Sequence, residues 1–348
     1  MGVRNVGKTE NVKTMETGAQ TLHRIQNTMA ETEMQTGSTA KAKAVLTARK
    51  EPLEKSDAEN KIQHRSTPLV ITVAVTKGGV AKTTTAVNLA AEMGLHGLRA
   101  LLVDMDEQGN TTLSATGKNR EAFNNAALFD AYRTFGFPGC TTDHFIHPTA
   151  LENVDILPCS GFSLMIPDQA EILHKTRGYP DYAFLSAILQ NIEETAYDFI
   201  VIDTPPGKNT FSLSGIYAAD HIIIPLHPDK YSIDSLNETY RLIETMKREN
   251  DMTIHVLGIL LTIVEKVNFT KILRENLCSG VYAGLKLNTE IRKGQAVNDA
   301  TLGGPVVIED PRSNPAKDYK ALFHEVLERI AWYEQGELQG TSNTNDME

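Results

Sequence analysis

The 348 residues carry 34 Lys and Arg against 44 Asp and Glu, a formal charge of −10, with 41% hydrophobic and 22% charged residues. That is a globular composition with ample length for a buried core. Three cysteines without a CxxC pair and apolar stretches too short for a bilayer exclude a disulfide knot, a cysteine-rich zinc site and a membrane span.

The first 66 residues stand apart. They hold 11 Lys and Arg, 8 Asp and Glu, and none of the 22 aromatic residues of the chain. A segment this poor in large apolar groups cannot offset its ordering entropy, so it reads as a flexible polar arm with transient helix around Ala40–Lys50. No continuous apolar segment marks a secretory signal.

From Thr67 the pattern changes. Leu69–Val75 predicts a buried strand, Thr83–Met93 a helix, and Arg99–Val103 a second strand. Val154–Leu157, Phe199–Ile202, His221–Leu226 and Val256–Thr262 predict further strands, with weaker ones near Val281–Leu287 and Val306–Ile308. Helices are expected at Asp181–Glu194, Ser232–Arg248 and Ala316–Glu334. In the last, Tyr319, Leu322, Phe323, Val326, Leu327 and Ile330 share one face at the 3.6-residue period of a docked helix. Near-continuous apolar strands alternating with helices predict an α/β fold: a twisted, mostly parallel sheet with helices on both faces. The domain is placed at residues 67–335, followed by a polar tail, 336–348.

Lys77-Gly78-Gly79-Val80-Ala81-Lys82-Thr83-Thr84 follows the first strand and opens a helix. Glycines let the backbone N–H groups curl inward, and the helix N-terminus adds positive potential, so the stretch reads as a phosphate-binding loop. Lys82 suits the β- and γ-phosphates of a nucleotide, the Thr83 hydroxyl suits Mg²⁺, and Thr84 suits the α-phosphate. Asp104 and Asp106 end the second strand and Asp203 ends Phe199–Ile202, so all three point to the crevice at the carboxyl ends of the strands. Asp203 is expected to hold Mg²⁺, Asp106 to orient or deprotonate the attacking water, and Asp104 to support the metal shell.

With Asp104-Met105-Asp106-Glu107-Gln108-Gly109-Asn110, Asp203-Thr204-Pro205-Pro206, Asp220–Pro225, Ile291–Val297 and Gly304–Ser313, the loop resembles the ParA/Soj family of deviant Walker-A partition ATPases across residues 68–333. The resemblance implies a P-loop NTPase that forms ATP-dependent sandwich homodimers and binds double-stranded DNA without sequence preference. A ParB-like partner then stimulates hydrolysis, and the protein works in the cytoplasm on the nucleoid. It also gives Lys77, five residues before Lys82, a role: reaching the ATP of a second copy as an arginine finger does. Arg292 and Lys293 fall near the family's DNA-contacting positions.

Three departures stand out. Ala81 occupies a usual Gly position, where a methyl group tolerates helical angles but not positive φ. Glu107 replaces a usual Pro, and Gly207-Lys208 follows Pro206. The alternative to DNA partition is an ATPase that positions a protein cargo, or a slow or non-hydrolysing adaptor. A MinD-like membrane attachment is not expected, because the final residues show no basic amphipathic face. Cys140, His144 and His147 have spacings that suggest a metal site, but no fourth ligand accompanies them and they are read as loop residues.

Overall fold

The computed structural model describes residues 65, 67–192, 196–300 and 304–342. The arm and its expected helix at Ala40–Lys50 lie outside the described residues, apart from Arg65, which pairs with Glu334. In chain order, β1 (Leu69–Val73) leads through the phosphate loop into α1 (Lys82–Leu95), β2 (Ala100–Asp104), α2 (Asn110–Thr116) and α3 (Leu128–Thr134). Next come β3 (His147–Pro148), β4 (Val154–Leu157), α4 (Ile166–Arg177), α5 (Phe184–Leu189), β5 (Phe199–Asp203) and α6 (Thr210–Tyr217). The second half holds β6 (His221–Leu226), α7 (Ser232–Asn250), β7 (His255–Val264), α8 (Asn268–Leu277) and β8 (Lys286–Arg292). The chain closes with α9 (Gln295–Ala300), α10 (Val306–Glu309) and α11 (Asn314–Ser342).

The strands form one sheet in the order β3-β4-β2-β5-β1-β6-β7-β8. Every pairing is parallel except the short β3–β4 edge. Side chains alternate between its faces. Leu69, Ile71 and Val73 pack with α1 and α11 on one side, while Leu101 and Val103 pack with α3 to α5 on the other. Ile222 and Ile224 complete that second side against α7 and α8. The α11 face anticipated from periodicity is wholly buried.

Four elements differ from expectation. Val306–Ile308 is part of a helical turn, not a strand. Pro305 enters it in extended geometry, and Val307 N–H donates to Asn88 Oδ1 at 3.1 Å, so packing against α1 overrides the β-branched propensity. The strand expected at Val281–Leu287 begins only at Lys286 and runs to Arg292, because Gly284 at φ +84° breaks the chain beforehand. The helix expected at Asp181–Glu194 is a 3₁₀ turn at Asp181–Ala183 followed by α5, which buries Leu185, Ile188 and Leu189. The last helix continues through Ser342, since Glu, Gln and Leu sustain a helix that no Pro interrupts.

Candidate functional site

Parallel strands place β1, β2 and β5 side by side with their carboxyl ends on one edge. Asp104 and Asp203 are direct neighbours in register there. The phosphate loop arches over that edge, and α1 begins at its end with no acidic residue in the first turn. Gly79 takes φ +70° and Ala81 φ 63°, ψ 37°. Ala81 therefore sits in the left-handed region, where an L-residue costs about 1–2 kcal/mol. The methyl group that the sequence flagged is held in the conformation it resists.

Lys82 is buried, and its Nζ donates to the Lys77 carbonyl at 3.0 Å. Burial lowers its pKa, opposed by the charges of Asp203 and Asp106. Thr83 Oγ1 donates to Asp203 Oδ2 at 2.6 Å, and Thr111 Oγ1 donates to the same oxygen at 2.7 Å. Asp203 Oδ1 is buried with no hydrogen-bond partner. Burial raises the Asp203 pKa to about 6. Burial, then the neighbouring Asp203 charge, raises that of Asp104 to about 8. A buried carboxylate with an unpartnered oxygen beside a threonine hydroxyl suits a hard, oxygen-preferring cation such as Mg²⁺.

Asp106 lines a cavity of about 380 Å³ together with Gly78–Thr83, Gln108, Pro205 and Pro206. An adjoining cavity of about 250 Å³ lies over Thr84, Asn88, Leu113, Ser114, Pro305 and Val306. The two share Thr83 and Asn110, so phosphates in the first would place a nucleoside in the second. Pro305 and Val306, at the entry to α10, line this space.

Lys77 points away from the phosphate cavity and pairs with Asp229. Asp229 also accepts from Tyr231 N–H at 2.9 Å and from Ser232 Oγ at 3.2 Å. Lys77 thus borders a wider groove of about 900 Å³ along α7, with Lys208 and Arg241. Lys208 pairs with Glu238 at 2.9 Å, both half exposed.

The expected DNA-contacting residues lie at the far edge of the sheet, Arg292 ending β8 and Lys293 following it. Arg292 donates from Nη2 to Asp318 Oδ1 at 2.6 Å and from its backbone N–H to Oδ2 at 2.9 Å. Lys293 pairs with Glu265 at 2.8 Å. Arg274 and Lys286 both pair with Glu290, and Lys271 with Glu275. The Cys140, His144 and His147 side chains engage Thr134, Thr141 and the Ala126 carbonyl respectively. No helix among the described residues is long and apolar enough to cross a membrane.

Sequence reasoning missed Thr111 and Thr112, the hydroxyl partners of the two strand-end carboxylates. Their position in the first helical turn after Gly109, just beyond the acidic strand end, was an available signal. Asp229 and Asp318 had none, since each pairs with a residue distant in the chain.

A family model described as an AAA domain matches residues 69–256. The chain is 28% identical over 264 residues to the chromosome partitioning protein ParA of Myxococcus xanthus, covering 75% of this chain and 88% of that protein. It is 28% identical over 270 residues to the sporulation initiation inhibitor protein Soj of Bacillus subtilis, covering 74% and 97%. The structure of apo McdA from Cyanothece shares the fold, with a TM-score of 0.64 at 19% identity over 75% of this chain and 99% of that one.

Proposed function

The chain belongs to the AAA-domain family, in the ParA/Soj branch of partition ATPases, and on that premise we propose that it is an ATP-driven DNA-partition switch. ATP with Mg²⁺ closes two copies into a sandwich, the closed pair binds duplex DNA without reading sequence, and a ParB-like partner stimulates hydrolysis and release. The observation that carries the reading is the buried pair Lys82 and Asp203 with the half-buried Thr83 hydroxyl on Asp203, one Asp203 oxygen lacking any partner.

The chain's own residues supply the steps. Backbone N–H groups of the loop and the α1 N-terminus hold the phosphates. Lys82 exchanges the Lys77 carbonyl for β- and γ-phosphate oxygens. The Thr83 hydroxyl and Asp203 would hold the metal, which when bound neutralises phosphate charge. Asp106, at the rim of the phosphate cavity, orients and deprotonates the attacking water. Lys77 exchanges Asp229 for the nucleotide of the second copy, which couples binding to dimerisation.

Because each DNA-face cation described above already has a carboxylate partner, a second reading has a specific support: an ATPase positioning a protein cargo, with no DNA contact. The deciding experiment is binding to random-sequence duplex DNA with ATP, ADP or no nucleotide, at two salt concentrations, beside Lys82→Ala. ATP-dependent, salt-sensitive binding lost in the variant supports the DNA switch. ATP-induced dimers that ignore DNA select the protein-cargo reading.

A further inference from the structure

Two carboxylates end adjacent strands, Asp104 on β2 and Asp203 on β5, and their surroundings differ. Asp203 keeps an unpartnered oxygen and a hydroxyl neighbour, Thr83. Asp104 has both oxygens occupied. Its Oδ2 accepts from Thr112 N–H at 2.8 Å and from Thr112 Oγ1 at 2.6 Å. Its Oδ1 accepts from Asp106 N–H at 3.2 Å. The side chain is 1% exposed.

We infer that Asp104 is not a metal ligand but the positioning residue for Asp106. Resting on the proposed role of Asp106 toward water, the inference names what holds that residue in place. Asp104 ties three segments into one buried unit. The first is the loop after β2, where Asp106 Oδ1 itself accepts from Gln108 N–H at 3.0 Å. The second is the first turn of α2 through Thr112. The third is the chain leaving β4, because Thr112 Oγ1 accepts from Cys159 N–H at 2.9 Å. Since Thr112 Oγ1 gives its single proton to Asp104, its lone pairs are left for Cys159. Asp104 Oδ2 has both lone-pair directions engaged by Thr112 and Oδ1 faces the Asp106 N–H, whereas Asp203 Oδ1 has no partner at all.

The discriminating variant is Asp104→Asn. Its amide oxygen keeps both Thr112 donors, and its NH₂ is left facing the Asp106 N–H, donor against donor. We expect kcat for ATP hydrolysis to fall about 10- to 100-fold, the scale of a displacement near 1 Å. KM for ATP and the Mg²⁺ half-saturation should stay within about twofold. Thr112→Val, which spares the Thr112 N–H and the Asp106 contact, should lower kcat less. Two further readouts do not depend on turnover. Equilibrium binding of Mg²⁺·ATP should be unchanged, and amide hydrogen exchange at 106–109 should quicken in Asp104→Asn but not in Thr112→Val. A tenfold rise in the Mg²⁺ requirement with kcat restored at saturating metal would make Asp104 a ligand and overturn the inference. Unchanged exchange at 106–109 would overturn it equally. A wild-type chain that hydrolyses no ATP, with quickened exchange in the variant, would remove the role given to Asp106 and leave the positioning intact.

Discussion

Two charged regions belong to the same sheet and are built on opposite terms. At the carboxyl ends of β1, β2 and β5, the charged groups are buried and incompletely satisfied. Lys82 donates to a backbone carbonyl, Asp203 Oδ1 has no partner, and Ala81 holds a strained backbone angle. Along the β7–β8 edge, Lys271, Arg274, Lys286, Arg292 and Lys293 each face a carboxylate, and all but Lys286 are open to solvent. An unsatisfied buried polar group costs free energy that a ligand recovers. An exposed ion pair is worth little, and an incoming polyanion only replaces one partner with another. The first region is therefore committed to a ligand before it arrives. The second is a compensated surface whose affinity depends on small differences between competing anions.

If that contrast holds, the largest response to a single substitution belongs to the first region. Lys82→Ala should weaken ATP binding and turnover by about 100- to 1,000-fold, the scale of losing one preorganised donor to developing charge. Nucleotide titration checks it, and binding within a few-fold of wild type would break the contrast at its stronger side.

A buried group with no role for ligand provides the control. His221 lies at the amino end of β6, away from the nucleotide, and its Nδ1 is buried without a partner. Burial first, then the charges of His255 and Arg65, lower its pKa from 6.5 to about 4. Between those values the unfolded chain binds a proton that the folded chain refuses. The associated stability is present above pH 6.5 and is lost as pH falls through about 4. The loss should be on the order of 3 kcal/mol. Denaturant unfolding across pH 4–7 should show the slope in wild type, lose much of it in His221→Leu, and leave it unaltered by nucleotide. A nucleotide that flattens it would mean the two ends of the sheet are energetically linked.

On the second region, Arg292→Ala should weaken DNA about tenfold and reduce the salt slope by about 1. Asp318 would also lose its bidentate partner, so Arg292→Lys, which keeps the charge, separates lost attraction from lost packing. Equal affinity for DNA in all three proteins would remove Arg292 from the interface. Smaller still is Ala81→Gly. Relief of the left-handed strain should raise stability by about 1 kcal/mol, partly offset by the greater freedom of glycine in the unfolded chain. It should also tighten ATP if the methyl group crowds the phosphates. Calorimetry with and without nucleotide distinguishes these two effects.

How much of this was legible in the sequence follows the same division. The order and type of the central strands were readable because strands buried on both faces leave apolar runs, and the loop from 77 to 84 was readable because phosphate binding imposes a local spacing. Val306–Ile308 was not, because three β-branched residues fit a strand or a buried helical turn, and only α1 and its Asn88 decide. Asp104 and Asp203 looked alike, each an aspartate ending an apolar run. What separates them is the Thr112 that approaches one and the empty oxygen on the other, a matter of tertiary contact. The basic edge was legible only in part for the same reason. Its cations are visible in sequence, but Glu265, Glu290 and Asp318 reach them only through the fold.

The smallest predicted effect is the sharpest test of that second region. Lys293 and Glu265 are 58% and 49% exposed and bridge the ends of β7 and β8, a pair of the kind worth about 0–1 kcal/mol. Glu265→Gln removes the competing charge and leaves Lys293 in place. If DNA takes Lys293 from Glu265, affinity should rise about twofold at low salt, and the gain should vanish as salt screens both contacts. Arg292 behaves differently by this argument, because Asp318 also binds its backbone N–H and is only 12% exposed. Asp318→Asn should therefore release no affinity and should instead let Arg292 drift and weaken DNA. Opposite signs for two carboxylates on one face would show that one is a competitor and the other a support. Equal signs would mean that the edge acts through its net charge alone.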